Sequence, residues 1–221
     1  MFEDCFSLES LIIPGSVKRL SQYKYDYDDK YQGIITETFS KSLKKLIINH
    51  NNTILKVGFT NDSGSFKERG WSNFAYTIET LAIDRVVNYP ITPKSLKRLT
   101  LGEHIKEVQV EIKNCNDLTN ITCYATTPPT GLIANNKLYL NTEVKVPKGC
   151  LEAYQNAEGW KNFWNMSEME DGESGVDSVI ADEAKTEIGR YNLQGHKVGD
   201  DYRGMVIIKY SDGSTRKILK N

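Results

Sequence analysis

One apolar spacing recurs along this chain and limits what it can fold into. The pattern L-x-x-L-x-L falls at Leu8-Leu11-Ile13, Leu43-Leu46-Ile48, Ile78-Leu81-Ile83, Leu96-Leu99-Leu101 and Leu118-Ile121-Cys123. A unit with so few apolar positions cannot bury them alone, but copies stacked side by side bury a continuous core. The copies start at residues 8, 43, 78, 96 and 118, so successive starts differ by 35, 35, 18 and 22. The last intervals suit compact repeats, and the first two suit repeats that carry insertions on one face. Several copies are followed by a second apolar pair: Val17 and Leu20, Ile54 and Val57, Ile105 and Val108. Alternation at Leu11-Ile12-Ile13 and Val108–Ile112 reads as short strand, and Pro14-Gly15 and Gly102 supply turns. The expected fold is mainly β, with short strands in a repeat solenoid. A β-sandwich whose strands reproduce the spacing by chance is the alternative.

Size and charge narrow the function. A chain of 221 residues hides roughly 70% of its unfolded surface on folding, so it needs no metal or disulfide staple. Its 28 Lys and Arg against 29 Asp and Glu give a net charge of -1, without the basic footprint of a general nucleic-acid binder. No apolar run reaches the roughly 20 residues of a spanning helix. Cys5, Cys115, Cys123 and Cys150 contain no C-x-x-C pair, which excludes a zinc ribbon or thioredoxin motif and favours four thiols. Met1-Phe2-Glu3-Asp4 opens no signal peptide.

Phe2-Glu3-Asp4-Cys5 followed by Leu8-Glu9-Ser10-Leu11-Ile12-Ile13-Pro14-Gly15-Ser16-Val17 resembles the repeat of BspA-like leucine-rich-repeat proteins, in which an F-x-x-C turn precedes an L-x-x-L-x-I-P strand and a V-x-x-I edge. Ile112-Lys113-Asn114-Cys115 and Leu118 repeat that turn, with Ile in place of the aromatic. Val144–Tyr154, running into Gly159-Trp160-Lys161-Asn162-Phe163, is similar to the closing cap of such arrays in gut and oral Bacteroidetes. Residues 22–40 and 59–77 depart from the repeat, and no F-x-x-C precedes Leu43. The resemblance implies a chain that begins inside a repeat, so that any export signal lies upstream. Leu151, Tyr154, Ala157 and Trp160 follow roughly helical spacing, and a short capping helix there would cover the edge of the last strand. The repeat region with its cap is expected over 1–166.

Residues 167–183 read as an acidic linker. Seven acids lie between Glu168 and Glu183 with no Lys or Arg, and Gly172 and Gly175 are interspersed. The D-x-D-x-D-G spacing of a calcium loop is absent. Over 184–221 a small antiparallel β-module is expected: a strand from Ile188 to Leu193, then Val206–Tyr210 and Thr215–Leu219 joined by a turn with Asp212-Gly213 at its centre. Glu187–Gly195 and Arg203–Ile208 resemble the C-terminal module of many exported Bacteroidetes proteins and are similar to type IX sorting domains, which implies secretion or surface display.

Catalytic signatures are missing. His50, His104 and His196 form no H-E-x-x-H and read as exposed turn residues. There is no G-x-S-x-G elbow, no G-x-G-x-x-G and no phosphate-cradling P-loop. Glu152 and Glu158 beside Trp160 belong to the cap rather than to a glycosidase pair. No catalytic residue, metal ligand or cofactor is expected. The candidates for recognition are aromatic: Tyr23, Tyr25, Tyr27 and Tyr31, interleaved with Asp26, Asp28 and Asp29, and then Trp71, Phe74 and Tyr76 with Phe66 in the next insertion. Tyr and Trp give rigid contact area at low entropy cost, and loops on a rigid scaffold are where recognition concentrates. The opposing reading packs these rings back onto the repeats. The resemblance implies a secreted or surface protein that recognises a host or bacterial surface protein or a glycan, and charge and hydropathy add no nucleic acid and no membrane-spanning segment. A glycan-binding module, or a spacer carrying another domain, stays open.

Overall fold

A computed structural model describes residues 7–26, 34–37, 42–60, 63–68, 70–71, 73–170, 187–199, 202–210 and 215–220. The chain divides into two compact units, Met1–Val176 and Asp177–Asn221. It is mainly β, with two short α-helices among the described residues.

In the first unit the strands are β1 (Ser10–Ile13), β2 (Arg19–Asp26), β3 (Ile34–Glu37), β4 (Lys45–Ile48), β5 (Lys56–Thr60), β6 (Phe66–Glu68), β7 (Thr80–Ile83), β8 (Arg98–Leu101), β9 (Asn120–Cys123), β10 (Glu143–Val146) and β11 (Asn165–Glu168). Helices α1 (Asn136–Asn141) and α2 (Leu151–Asn156) flank β10, and a 3-10 helix spans Asn73–Thr77. Seven strands make one parallel sheet in the order β1-β4-β7-β8-β9-β10-β11, which is their order along the chain. Each of the five apolar copies contributes one strand, beginning two residues after the copy's first apolar position. Register then aligns like with like: Leu11, Leu46, Leu81, Leu99, Ile121, Val144 and Met166 form one row. Ile13, Ile48, Ile83, Leu101 and Cys123 form the next inward row. Both rows belong to one core, because side chains two apart on a strand share a face.

Two strands escape the apolar spacing. β10 follows Asn141-Thr142 where a leucine would stand, and the buried Thr142 hydroxyl donates to the Leu118 carbonyl. β11 uses Phe163, Met166 and then Glu168, whose carboxylate accepts hydrogen bonds from the backbone N–H groups of Gly149 (2.8 Å) and Leu151 (3.4 Å). The sheet thus runs past the expected boundary at 166. Beyond α2 the sheet gains one more strand: β11 pairs in parallel with β10, and α2 packs against β11. The buried cap residues are Tyr154, which donates to the Ala125 carbonyl, and Trp160, whose indole N–H donates to the Pro129 carbonyl at 2.7 Å.

A second row of contacts runs outside the seven-stranded sheet. Leu55 bridges Val87, Ile91 bridges Val110, and Glu107 bridges Thr130, all in parallel. Leu20, Leu55, Val57, Val87, Ile91, Ile105 and Val108 are buried here. In the second copy the pair is Leu55 and Val57 rather than Ile54 and Val57. Ile54 is 50% exposed, because the strand's alternation points it outward.

The cysteine expectation concerns side chains that can be placed for three of four. Cys115, Cys123 and Cys150 are free thiols, and Cys5 lies outside the described residues. The 112–115 turn forms as the repeat pattern implies: Cys115 N–H donates to the Ile112 carbonyl and Leu118 N–H to that of Cys115.

The second unit is a three-stranded antiparallel sheet of β12 (Glu187–Tyr191), β13 (Gly204–Tyr210) and β14 (Thr215–Lys220), in that order. Val206 and Ile208 are buried among its described residues. The Asp212-Gly213 turn and most of the acidic stretch, from 171 onward, lie outside the described residues.

Candidate functional site

The first two repeat intervals carry the insertions, and these build a sheet of their own in the order β3-β2-β5-β6. It grows from the second row. Arg19 and Leu20 of β2 pair in parallel with Lys56 and Val57 of β5, and both strands then run on into the inserted sequence. Each turns back as an antiparallel hairpin, β2 with β3 and β5 with β6. Tyr23 stands opposite Glu37 of β3 and Phe59 of β5, and Tyr25 opposite Ile35. Tyr23 and Tyr25 are therefore two apart on β2, one of the two inner strands of this sheet. Tyr27 and Tyr31 lie outside the described residues.

The hairpin of β5 and β6 is fastened to the third repeat by Asn88. Its side-chain amide accepts from Val57 N–H at 2.8 Å and donates to the Val57 carbonyl at 3.1 Å, filling the place of a neighbouring strand. The same amide reaches Glu68, which also pairs with Lys56. Those two hydrogen bonds, to Lys56 first and then Asn88, hold the Glu68 carboxyl below its usual range. Arg19 lies over the Phe66 ring at 5.6 Å.

The second aromatic group divides. Trp71 is half-buried against the core, and its indole N–H donates to the Tyr89 carbonyl at 3.1 Å. Tyr76 lies beneath the Lys94 ammonium, 3.9 Å from the ring centre. Phe74 sits in the 3-10 helix between them. Trp71 and Tyr76 thus each contact the body of the first unit. Sequence reasoning passed over Trp164, which is 83% exposed on the turn into β11.

His104 is an exposed turn residue as expected, and His50 is half-buried past the end of β4. His196 is an exposed turn residue, with its N–H donated to the Asn192 side chain. His50 and His104 are not isolated. They follow strands β4 and β8, on either side of β7, and Asp84 follows β7 itself. The sheet register that aligns Ile48, Ile83 and Leu101 carries these three residues to one place. His104 Nδ1 is 2.8 Å from Asp84 Oδ2, His50 Nδ1 is 3.7 Å from the same oxygen, and the two imidazoles stack with centres 3.5 Å apart. Asp84 is held from beneath: its Oδ1 accepts the His104 backbone N–H at 2.9 Å. A Cβ on Gly102 would lie 2.1 Å from the Asp84 Cγ, so only glycine leaves the carboxylate room.

Next to Asp84, Arg85 turns the other way. Its buried guanidinium donates to the carbonyls of Thr53, Gly15 and Val17 and to the Thr53 hydroxyl, stitching the third repeat to the first two. Burial lowers its pKa, yet an arginine remains charged in this setting. No family model matches the chain, no curated protein matches it in sequence, and no solved structure matches it. No helix among the described residues is long and apolar enough to cross a membrane.

Proposed function

We propose that the chain is a leucine-rich-repeat solenoid of the BspA-like kind, exported or displayed at a cell surface, that recognises a protein on a host or bacterial surface without catalysing a reaction. The observation that carries this reading is the insertion sheet. Two hairpins, β2–β3 and β5–β6, extend from neighbouring repeats and join into one four-stranded sheet, with Tyr23 and Tyr25 in β2, one of its two inner strands. The shorter intervals build the same parallel sheet without such hairpins, so the inserted strands are additions to the repeat, and additions on a rigid scaffold are where recognition concentrates. The in-register rows of Leu and Ile support the repeat reading, and the C-terminal three-stranded sheet supports the likeness to export modules. Both steps from fold to role are analogy.

A binding screen tests the reading. The purified chain is presented to a panel of extracellular-matrix and bacterial surface proteins, with a glycan array beside it. Saturable binding to one protein supports the proposal. Binding confined to the glycan array replaces it with a carbohydrate-binding role, and a blank screen on both removes recognition as the function of this part of the chain.

A further inference from the structure

We propose that His50, Asp84 and His104 form a binding site for one divalent transition-metal ion, with zinc the best fit. The three residues each offer one ligand atom, and these atoms all lie within 4.8 Å of one another. Tetrahedral zinc with donor bonds of about 2.0–2.1 Å places its ligands roughly 3.3 Å apart. The observed separations of 2.8 Å for His104 and 3.7 Å for His50 from Asp84 Oδ2 bracket that value. His50 Nδ1 also lies 3.2 Å from the Asp84 backbone carbonyl, so an ion would exchange that contact and the ring stacking for metal bonds; with side chains 36% and 44% exposed, both imidazoles lie where they can turn.

The chemistry of the set also fits. Two imidazoles and one carboxylate suit zinc and its first-row neighbours, and hard calcium or magnesium would demand more oxygen donors. The ion would sit between His104 Nδ1 and Asp84 Oδ2, which stand 2.8 Å apart. Asp84 would act as a carboxylate and the histidines as neutral imidazoles, and solvent would complete the fourth position. A supporting partner is present: Glu103 Oε1 lies 3.5 Å from His104 Nε2, the carboxylate–histidine arrangement that orients a metal-binding imidazole. Asp84 is anchored by the His104 backbone N–H, and its position depends on Gly102. Three successive strands supply one ligand each, so the ion would clamp the second, third and fourth repeats together. The Asn49 side-chain oxygen, one residue before His50, is buried without a hydrogen-bond partner among the described residues, which marks this strand end as polar ground incompletely satisfied by protein groups.

The test uses the full chain stripped of metal with a chelator and titrated with zinc chloride by calorimetry. One zinc per chain is expected, with affinity falling more than about ten-fold in His50→Gln and in His104→Gln. A readout on the unaltered chain guards against misfolded variants. Diethyl pyrocarbonate labelling, mapped by mass spectrometry, should be suppressed by zinc at His50 and His104 and unchanged at His196. Absence of stoichiometric binding, affinity unchanged in a folded variant of either histidine, or labelling of His50 and His104 that zinc does not reduce would each overturn the site.

Discussion

The seven-stranded and four-stranded sheets grow from the same repeats, yet different constraints shape them. In the parallel sheet every repeat delivers the same two inward positions, so Leu11, Leu46, Leu81, Leu99 and Ile121 align whether the interval between copies is 35 residues or 18. Lengthening a surface connection costs little, since closure entropy grows only with the logarithm of loop length. The core rows therefore tolerate long excursions at the first two intervals. The insertion sheet is made of those excursions. It is tied back through Asn88, the Arg19–Leu20 pairing and the buried Leu20 and Val57 at the base of β2 and β5. Stability should concentrate in the first sheet and recognition in the second, and substitutions can separate the two.

The largest effect belongs to the packed end. Trp160 is fully buried against Tyr154 and Phe163, and Trp160→Ala should cost about 3–5 kcal/mol in urea unfolding. Loss below about 1 kcal/mol would deny that the cap end bears stability.

Alkaline pH should weaken the same scaffold. Burial pushes the Cys115 and Cys123 thiols up to about 11, and it raises the Tyr154 hydroxyl as well. A thiol is neutral while protonated, so a raised folded-state pKa makes its contribution complete below the unfolded value and lost as pH climbs toward the folded one. Unfolding free energy should be insensitive to these groups below about pH 8.5, then fall between about pH 9 and 11 by up to about 1.4 kcal/mol per pH unit for each thiol. Cys123→Ala should lessen that slope whatever it does to the absolute value. An unchanged slope would mean that Cys123 is not buried as described.

Gly102→Ala places a Cβ against Asp84 and should destabilise by about 1–3 kcal/mol while displacing the carboxylate from His104. An unperturbed thermal midpoint together with an unchanged His104 resonance in NMR would contradict this packing. The smallest effect falls on exposed rings outside the core: Trp164→Ala should shift stability by less than about 0.5 kcal/mol. A larger cost would show that β11 relies on this ring.

Much of the parallel sheet was legible because the apolar spacing is itself the register: five strands begin where the copies predict. The last two were hidden. β10 starts after Thr142, whose hydroxyl replaces a leucine by bonding to Leu118, and Glu168 of β11 holds backbone N–H groups at the start of α2 instead of filling the core. Ile54 misled because two adjacent apolar residues leave strand phase open, and tertiary pairing chose Leu55. The meeting of His50, Asp84 and His104 was invisible at separations of 34 and 20 residues. It becomes readable once the copies are aligned on Ile48, Ile83 and Leu101, since the residues then trail adjacent strands by two, one and three positions.

The division of labour is tested most directly by the variant Tyr23→Ala/Tyr25→Ala, compared with the unaltered chain for binding to the protein partner found in the screen and for thermal midpoint. The account predicts that binding falls more than about ten-fold while stability changes by less than about 1 kcal/mol. Binding that survives in the folded variant would contradict it and return recognition to the repeats themselves.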